Sequence, residues 1–103
     1  MIYHDSIQKN VPKEVLSVSI GDIIRIWTYT KKFAKVYLKR REDQARLNKQ
    51  LHEILINPFC GKPMSGNRKG LWELYHDSWR LYYTFDKEKN LVTITEFSHK
   101  DYQ

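Results

Sequence analysis

The apolar positions of this chain change period twice, and the changes mark out its elements. Residues 23–29 read IIRIWTY, β-branched and aromatic on both faces with Arg25 the one charge, which predicts a strand. From residue 31 the period becomes helical: Phe33, Val36 and Tyr37 fall at i, i+3 and i+4 with lysines between them, and Thr30 is placed to cap the first turn. Leu47, Leu51, Ile54 and Leu55 repeat the pattern at i, i+4, i+7 and i+8 and predict a second helix over 43–57. One continuous helix through 30–57 would set Arg40, Arg41 and Gln44 into the apolar stripe, so the pattern predicts a helical hairpin turning near residues 41–43. Pro58 ends the second helix, because its ring disfavours a helical conformation at Asn57.

The period drops to two in residues 70–103. Three runs rich in β-branched and aromatic residues are broken at 76–78 and at 86–90, the signature of a β-meander. Between helix and meander, residues 57–70 (NPFCGKPMSGNRKG) hold two prolines, three glycines and three basic residues and read as a long loop. The first 22 residues are less patterned. Residues 11–16 could open a short helix behind Pro12, 17–20 could be extended, and Gly21-Asp22 punctuates, which suggests an N-terminal extension ahead of a domain spanning 23–103. The expected fold is α+β: a small antiparallel sheet of about four strands with a helical hairpin on one face, in the order β-α-α-β-β-β.

Strand alternation sorts the meander by face. Trp79, Leu81, Tyr83 and Phe85 form the face turned to the helices, and Arg80, Tyr82 and Thr84 the other. In the preceding run Trp72, Leu74 and His76 look inward, leaving Glu73 and Tyr75 opposite. A tight turn between the two runs brings Glu73, Tyr75, Arg80 and Tyr82 onto one face, with His99 and Lys100 at the end of the last run able to close one side. Arg80 and Glu73 would equally suit a plain cross-strand ion pair.

Composition adds three constraints. No run approaches the roughly 20 apolar residues that cross a bilayer, and no segment resembles a signal peptide. The single cysteine, Cys60, excludes an internal disulfide and suits a reducing cytoplasm, and the four histidines with that cysteine lack metal-ligand spacing, so neither metal nor cofactor is expected. The net charge is +6, unevenly spread: residues 23–57 carry +6 and 58–70 carry +3, while 1–22 carry −1 and 71–103 carry −2. A basic middle of this kind suits a polyanion or an acidic protein partner.

The order strand, two helices, basic loop, then GLWELYHDSWRLYY resembles the RelE/ParE toxin superfamily of type II toxin–antitoxin systems. The match is strongest from Gly70 to Tyr83. Residues 30–33 (TKKF) resemble the opening of that family's first helix, and 98–101 (SHKD) fall where these toxins carry their last site residues. The resemblance covers 23–103 and implies a RelE- or YoeB-like mRNA interferase, which cleaves message on the ribosome without metal by attack of the RNA's own 2′-hydroxyl. It also implies an antitoxin partner, usually acidic, for which the basic stretch from Lys31 to Lys69 would be docking ground.

Carried over by position, Arg80 matches the family's phosphate-stabilising arginine, His99 the C-terminal histidine of YoeB-like members, and Lys100 lies at or beside another basic site position. Glu73 and Tyr75 stand where the family repeatedly has basic residues. That departure shifts acid–base work toward His99 as general acid and Glu73 as general base or orienter. Lys69, Lys100 and Arg68 would then contact phosphate, and Tyr75 or Tyr82 would stack on a base. Two other readings stay open: a ParE-like gyrase inhibitor, and a non-catalytic domain that only binds RNA or a partner protein.

Overall fold

The computed structural model describes residues 15–76 and 78–99. In chain order it contains β1 (Leu16–Ile20), β2 (Ile23–Tyr29), α1 (Lys31–Lys39), a 3-10 turn at Arg41–Asp43, α2 (Gln44–Ile56), β3 (Lys62–Pro63), a 3-10 turn at Gly66–Arg68, β4 (Trp72–His76), β5 (Trp79–Asp86) and β6 (Leu91–His99). The strands form one sheet in the order β1-β2-β6-β5-β4-β3. The helix pair packs on one face of it, its joint at the expected turn. Phe33 of α1 and Leu47, Leu51, Ile54 and Leu55 of α2 meet Trp79, Leu81, Tyr83, Val92, Ile94 and Phe97 in a single core.

Six strands replace the expected four or so, and the sheet is mixed rather than antiparallel. β1 is an extra edge: Leu16, Val18 and Ile20 turn inward and alternate with more exposed serines. Its hairpin to β2 closes through Gly21 at φ +63, a left-handed angle that costs glycine no Cβ clash. Residues 1–14 fall outside the described set, so the short helix expected over 11–16 has only Val15 and Leu16 to test it; Val15 is not helical and Leu16 is extended. β3 has two residues, too few to show a period, and pairs antiparallel with β4. The parallel contact is β2 on β6, which brings the strand before the helices beside the last strand of the meander. His76, read as inward-facing, is exposed at the end of β4.

Two polar residues tie the helices to the sheet. Thr30 accepts a hydrogen bond from the Phe33 amide at 3.2 Å, capping α1, and its hydroxyl donates to the Thr95 carbonyl at 2.6 Å. Thr30→Ala removes both, and a fall in unfolding free energy of about 1–2 kcal/mol is expected from denaturant titration. Arg25, the charge in an otherwise apolar strand, donates from Nε to the Leu55 carbonyl at 2.8 Å and from Nη1 to Asn90 Oδ1 at 2.6 Å. It thus places a cation at the C-terminal end of α2 and holds the β5–β6 turn, where Asn90 adopts φ 54.

One irregularity in the sheet decides where the site residues point. Tyr83 pairs with Ile94 but Tyr82 pairs with Glu96, leaving Thr95 as an extra residue in β6. Such a bulge shifts the alternation by one position. Val92 and Ile94 face the helices before it, and Phe97 faces them after it.

Candidate functional site

The first cleft lies on the sheet face turned away from the helices. Its floor comes from β4 and β5, where Tyr75 stands opposite Arg80 and Glu73 opposite Tyr82. Directly opposed residues in an antiparallel pair share a face, so all four come together as alternation predicts. The Arg80 guanidinium lies over the Tyr75 ring, 5.1 Å from its centre, and Arg80 Nε is 3.7 Å from a Glu73 carboxylate oxygen. Both side chains are partly covered, Arg80 35% and Glu73 20% exposed, so their attraction is less screened than that of an open surface pair. Tyr75 is 51% exposed beside them.

The loop 57–70 forms the far wall. Cys60, Gly61, Lys62 and Pro63 close a cleft of about 550 Å³ over Glu73, Tyr75 and Arg80. Lys62 stands opposite Glu73 across β3 and β4, a second cation that periodicity could not single out because its strand is two residues long. The wall is pinned from the core side. The buried Tyr83 hydroxyl donates to the Pro58 carbonyl at 2.8 Å and accepts from the Gly61 amide at 2.9 Å. Burial pushes the Tyr83 hydroxyl far above its usual range, so it stays protonated and keeps donating. Desolvation also raises the Cys60 thiol, with the Tyr83 hydrogen bond pulling the other way, and the thiol is no ready nucleophile near neutral pH.

Further along the same loop Arg68 covers Tyr82, its guanidinium 4.8 Å from the ring centre. Tyr82 is 4% exposed, so its ring offers no open surface for a base, whereas that of Tyr75 does. Lys69 is exposed where the loop turns toward β4 and does not line the cleft. Lys100 lies outside the described residues.

His99 is elsewhere. It stands opposite Trp79 on the helix side of the sheet, its ring edge-on to the indole at 4.7 Å, while Arg80 stands opposite Ser98 on the other side. His99 lines a separate cleft of about 300 Å³ between α1 and β6, with Arg40, Lys39 and Trp79. Neither of these two clefts is lined by both Arg80 and His99. The bulge at Thr95 is the cause, since uninterrupted alternation from Val92 and Ile94 would have turned position 99 to the face of Arg80. Two separate clefts therefore divide the residues that the sequence suggested would work together.

A small mixed sheet thus carries a helix pair on one face and, on the open face, a strand arginine walled by a basic loop. Residues 19–102 match the family described as ParE toxin of type II toxin-antitoxin system, parDE, and the chain belongs to that family, within the RelE/ParE superfamily. Among solved structures it is similar to the toxin–antitoxin complex RelBE2 from Mycobacterium tuberculosis, with a TM-score of 0.63 at 22% identity over 71% of this chain and 94% of that one. At that identity the likeness speaks for the fold. No curated protein matches.

Proposed function

We propose that this toxin engages RNA through the Arg80 face. The observation that carries the reading is the Arg80 guanidinium lying over the half-exposed Tyr75 ring, in a cleft that also holds Lys62. A guanidinium presents paired donors to a phosphate, and the part of Tyr75 that Arg80 leaves exposed accepts a base, the two halves of single-strand recognition. Arg68 and Lys69 on the adjoining loop extend the positive surface. An acidic antitoxin partner belongs to the same reading, since it follows from family membership and from the excess charge over residues 23–70.

Cleavage of message by 2′-hydroxyl attack is the second reading, and Glu73 favours it. Its carboxylate lies 3.7 Å from Arg80, where it could take the 2′-hydroxyl proton while Arg80 balances charge on the phosphorane. Among the described residues His99 does not supply the acid for the leaving 5′-oxygen, because it opens to the other face. Binding without an assembled Arg80–His99 pair is thus the better supported of the two. A ParE-like action on gyrase draws no support from this cleft.

Wild-type, Arg80→Ala and His99→Ala proteins separate these readings. Affinity for a fluorescent single-stranded RNA should fall about tenfold in Arg80→Ala, with a shallower salt dependence, and hold in His99→Ala. On programmed ribosomes, products with 5′-hydroxyl ends that vanish in Arg80→Ala and survive in His99→Ala would establish cutting without the histidine. RNA affinity unchanged in Arg80→Ala would remove the proposed surface.

A further inference from the structure

An apolar groove distinct from both clefts lies between the helix pair and the end of β2. It encloses about 280 Å³ and is lined by Trp27 and Tyr29 of β2, Phe33, Tyr37 and Leu38 of α1, and Leu51 of α2. A continuous run of aromatic rings makes its floor, with centres 6.1 Å apart from Trp27 to Tyr29, 6.1 Å from Tyr29 to Phe33 and 5.7 Å from Phe33 to Tyr37. The Tyr37 hydroxyl donates to Asn48 Oδ1 at 2.9 Å, which ties α1 to α2 at the groove and fixes that ring. None of the described lining residues is charged, and Leu38 is 68% exposed. A large aliphatic side chain left in water beside an aromatic groove marks a surface suited to being covered.

The nearest chain that could cover it is the protein's own. β1 runs antiparallel to β2 with Leu16 opposite Trp27, so the chain ahead of Leu16 leads toward Tyr29 and the start of α1, alongside the groove. In residues 1–14, Tyr3, Ile7 and Val11 recur at every fourth position, the spacing that puts apolar side chains on one helical face. Pro12 disfavours a helical conformation at Val11 and so sets the end of that stripe. We propose that residues 1–14 fold back over this groove as a helical segment, with Val11 nearest Tyr29 and Ile7 seated beside Leu38 and Leu51. Residues 12–15 extended reach about 13 Å and a helix over 3–11 about 12 Å, against about 8 Å of groove from Phe33 to Leu38 along α1. Charge favours this occupant over two others. Residues 1–14 balance Asp5 and Glu14 against Lys9 and Lys13, whereas a second copy would set a net charge of +6 against its own. An acidic partner segment finds no cation among the described lining residues. Seated there, residues 1–14 close the groove to apolar segments from outside, and an incoming helix that uses it must displace them. The inference does not depend on the RNA reading, since no residue of the Arg80 cleft lines the groove.

The test uses the full chain with labelled isoleucine, leucine and valine methyl groups. Nuclear Overhauser contacts from Ile7 to Leu38 and Leu51 are expected. Ile7→Asp should erase them and shift the Leu38 and Leu51 methyl and Trp27 indole resonances. It should also quicken amide exchange in α1 about tenfold, as loss of one buried aliphatic side chain would, and Ile7→Leu should keep the protection. The Leu81 and Val92 methyls, buried in the core and outside the groove, should hold in both variants and show the fold intact. Leu38, Leu51 and Trp27 resonances indifferent to Ile7→Asp overturn the proposal and leave the groove to an outside partner. Contacts seen only between differently labelled copies in a mixed sample overturn it in favour of a second copy.

Discussion

Gly61→Ala is expected to destabilise the protein by about 2–4 kcal/mol and to loosen the wall of the Arg80 cleft. A Cβ at this position would lie 2.6 Å from the Tyr83 hydroxyl and 2.8 Å from the Glu73 carbonyl oxygen, both closer than a carbon can sit. The hydroxyl is the far end of a side chain, but that side chain is fully buried and bonded to Pro58 as well as to Gly61. The Glu73 carbonyl is backbone of β4 and cannot swing aside. Either the loop lifts, breaking the Gly61–Tyr83 hydrogen bond, or β4 shifts and carries Glu73 with it. Tyr83→Phe alone removes the hydroxyl's bonds to Pro58 and Gly61 and should cost about 2 kcal/mol. In the double variant the closer clash is gone and the hydrogen bond is already lost, so the two costs should sum to more than the double variant loses. Denaturant unfolding of the four proteins completes the cycle, and strict additivity would show that Gly61 and Tyr83 do not share the contact.

Much of this architecture is legible in the periods of the sequence. The helical hairpin, the Thr30 cap and the three meander strands follow from apolar spacing, because each is long enough to show a repeat. The company of Glu73, Tyr75, Arg80 and Tyr82 follows from alternation and a short turn. What was not legible has definite physical causes. Two-residue β3 carries no pattern, so Lys62 went unassigned beside Glu73. Parallel pairing of β2 with β6 depends on how the helices cross the sheet, which no local repeat encodes. The cover of Arg68 over Tyr82 and the hold of Tyr83 on Pro58 and Gly61 are loop contacts made across the chain. The bulge is a different case. Val92, Ile94 and Phe97 change the apolar spacing from two to three in the middle of β6, and that step is what turns His99 to the helix side.

Glu73→Lys should strengthen RNA binding about 30-fold at low salt if the Arg80 face only binds, and should abolish cutting if Glu73 is the base. The carboxylate faces Arg80 at 3.7 Å and stands opposite Lys62, so it opposes a phosphate entering the cleft and holds the guanidinium that would grip it. Exchanging it for an ammonium changes the local charge by two units. Near a partly covered surface a unit charge a few ångströms from a phosphate is worth about 1 kcal/mol after screening, so the exchange gives about 2 kcal/mol, the 30-fold named above. The gain should shrink as salt rises, whereas loss of an acid–base group would not depend on salt. Tighter RNA binding with growth arrest kept or deepened on expression would mark a toxin that acts by occupancy. Tighter binding with the 5′-hydroxyl products and the arrest both lost would make Glu73 the base of a nuclease. Weaker binding in Glu73→Lys would contradict both, because the lysine would then have disrupted a site that needs its carboxylate to orient Arg80.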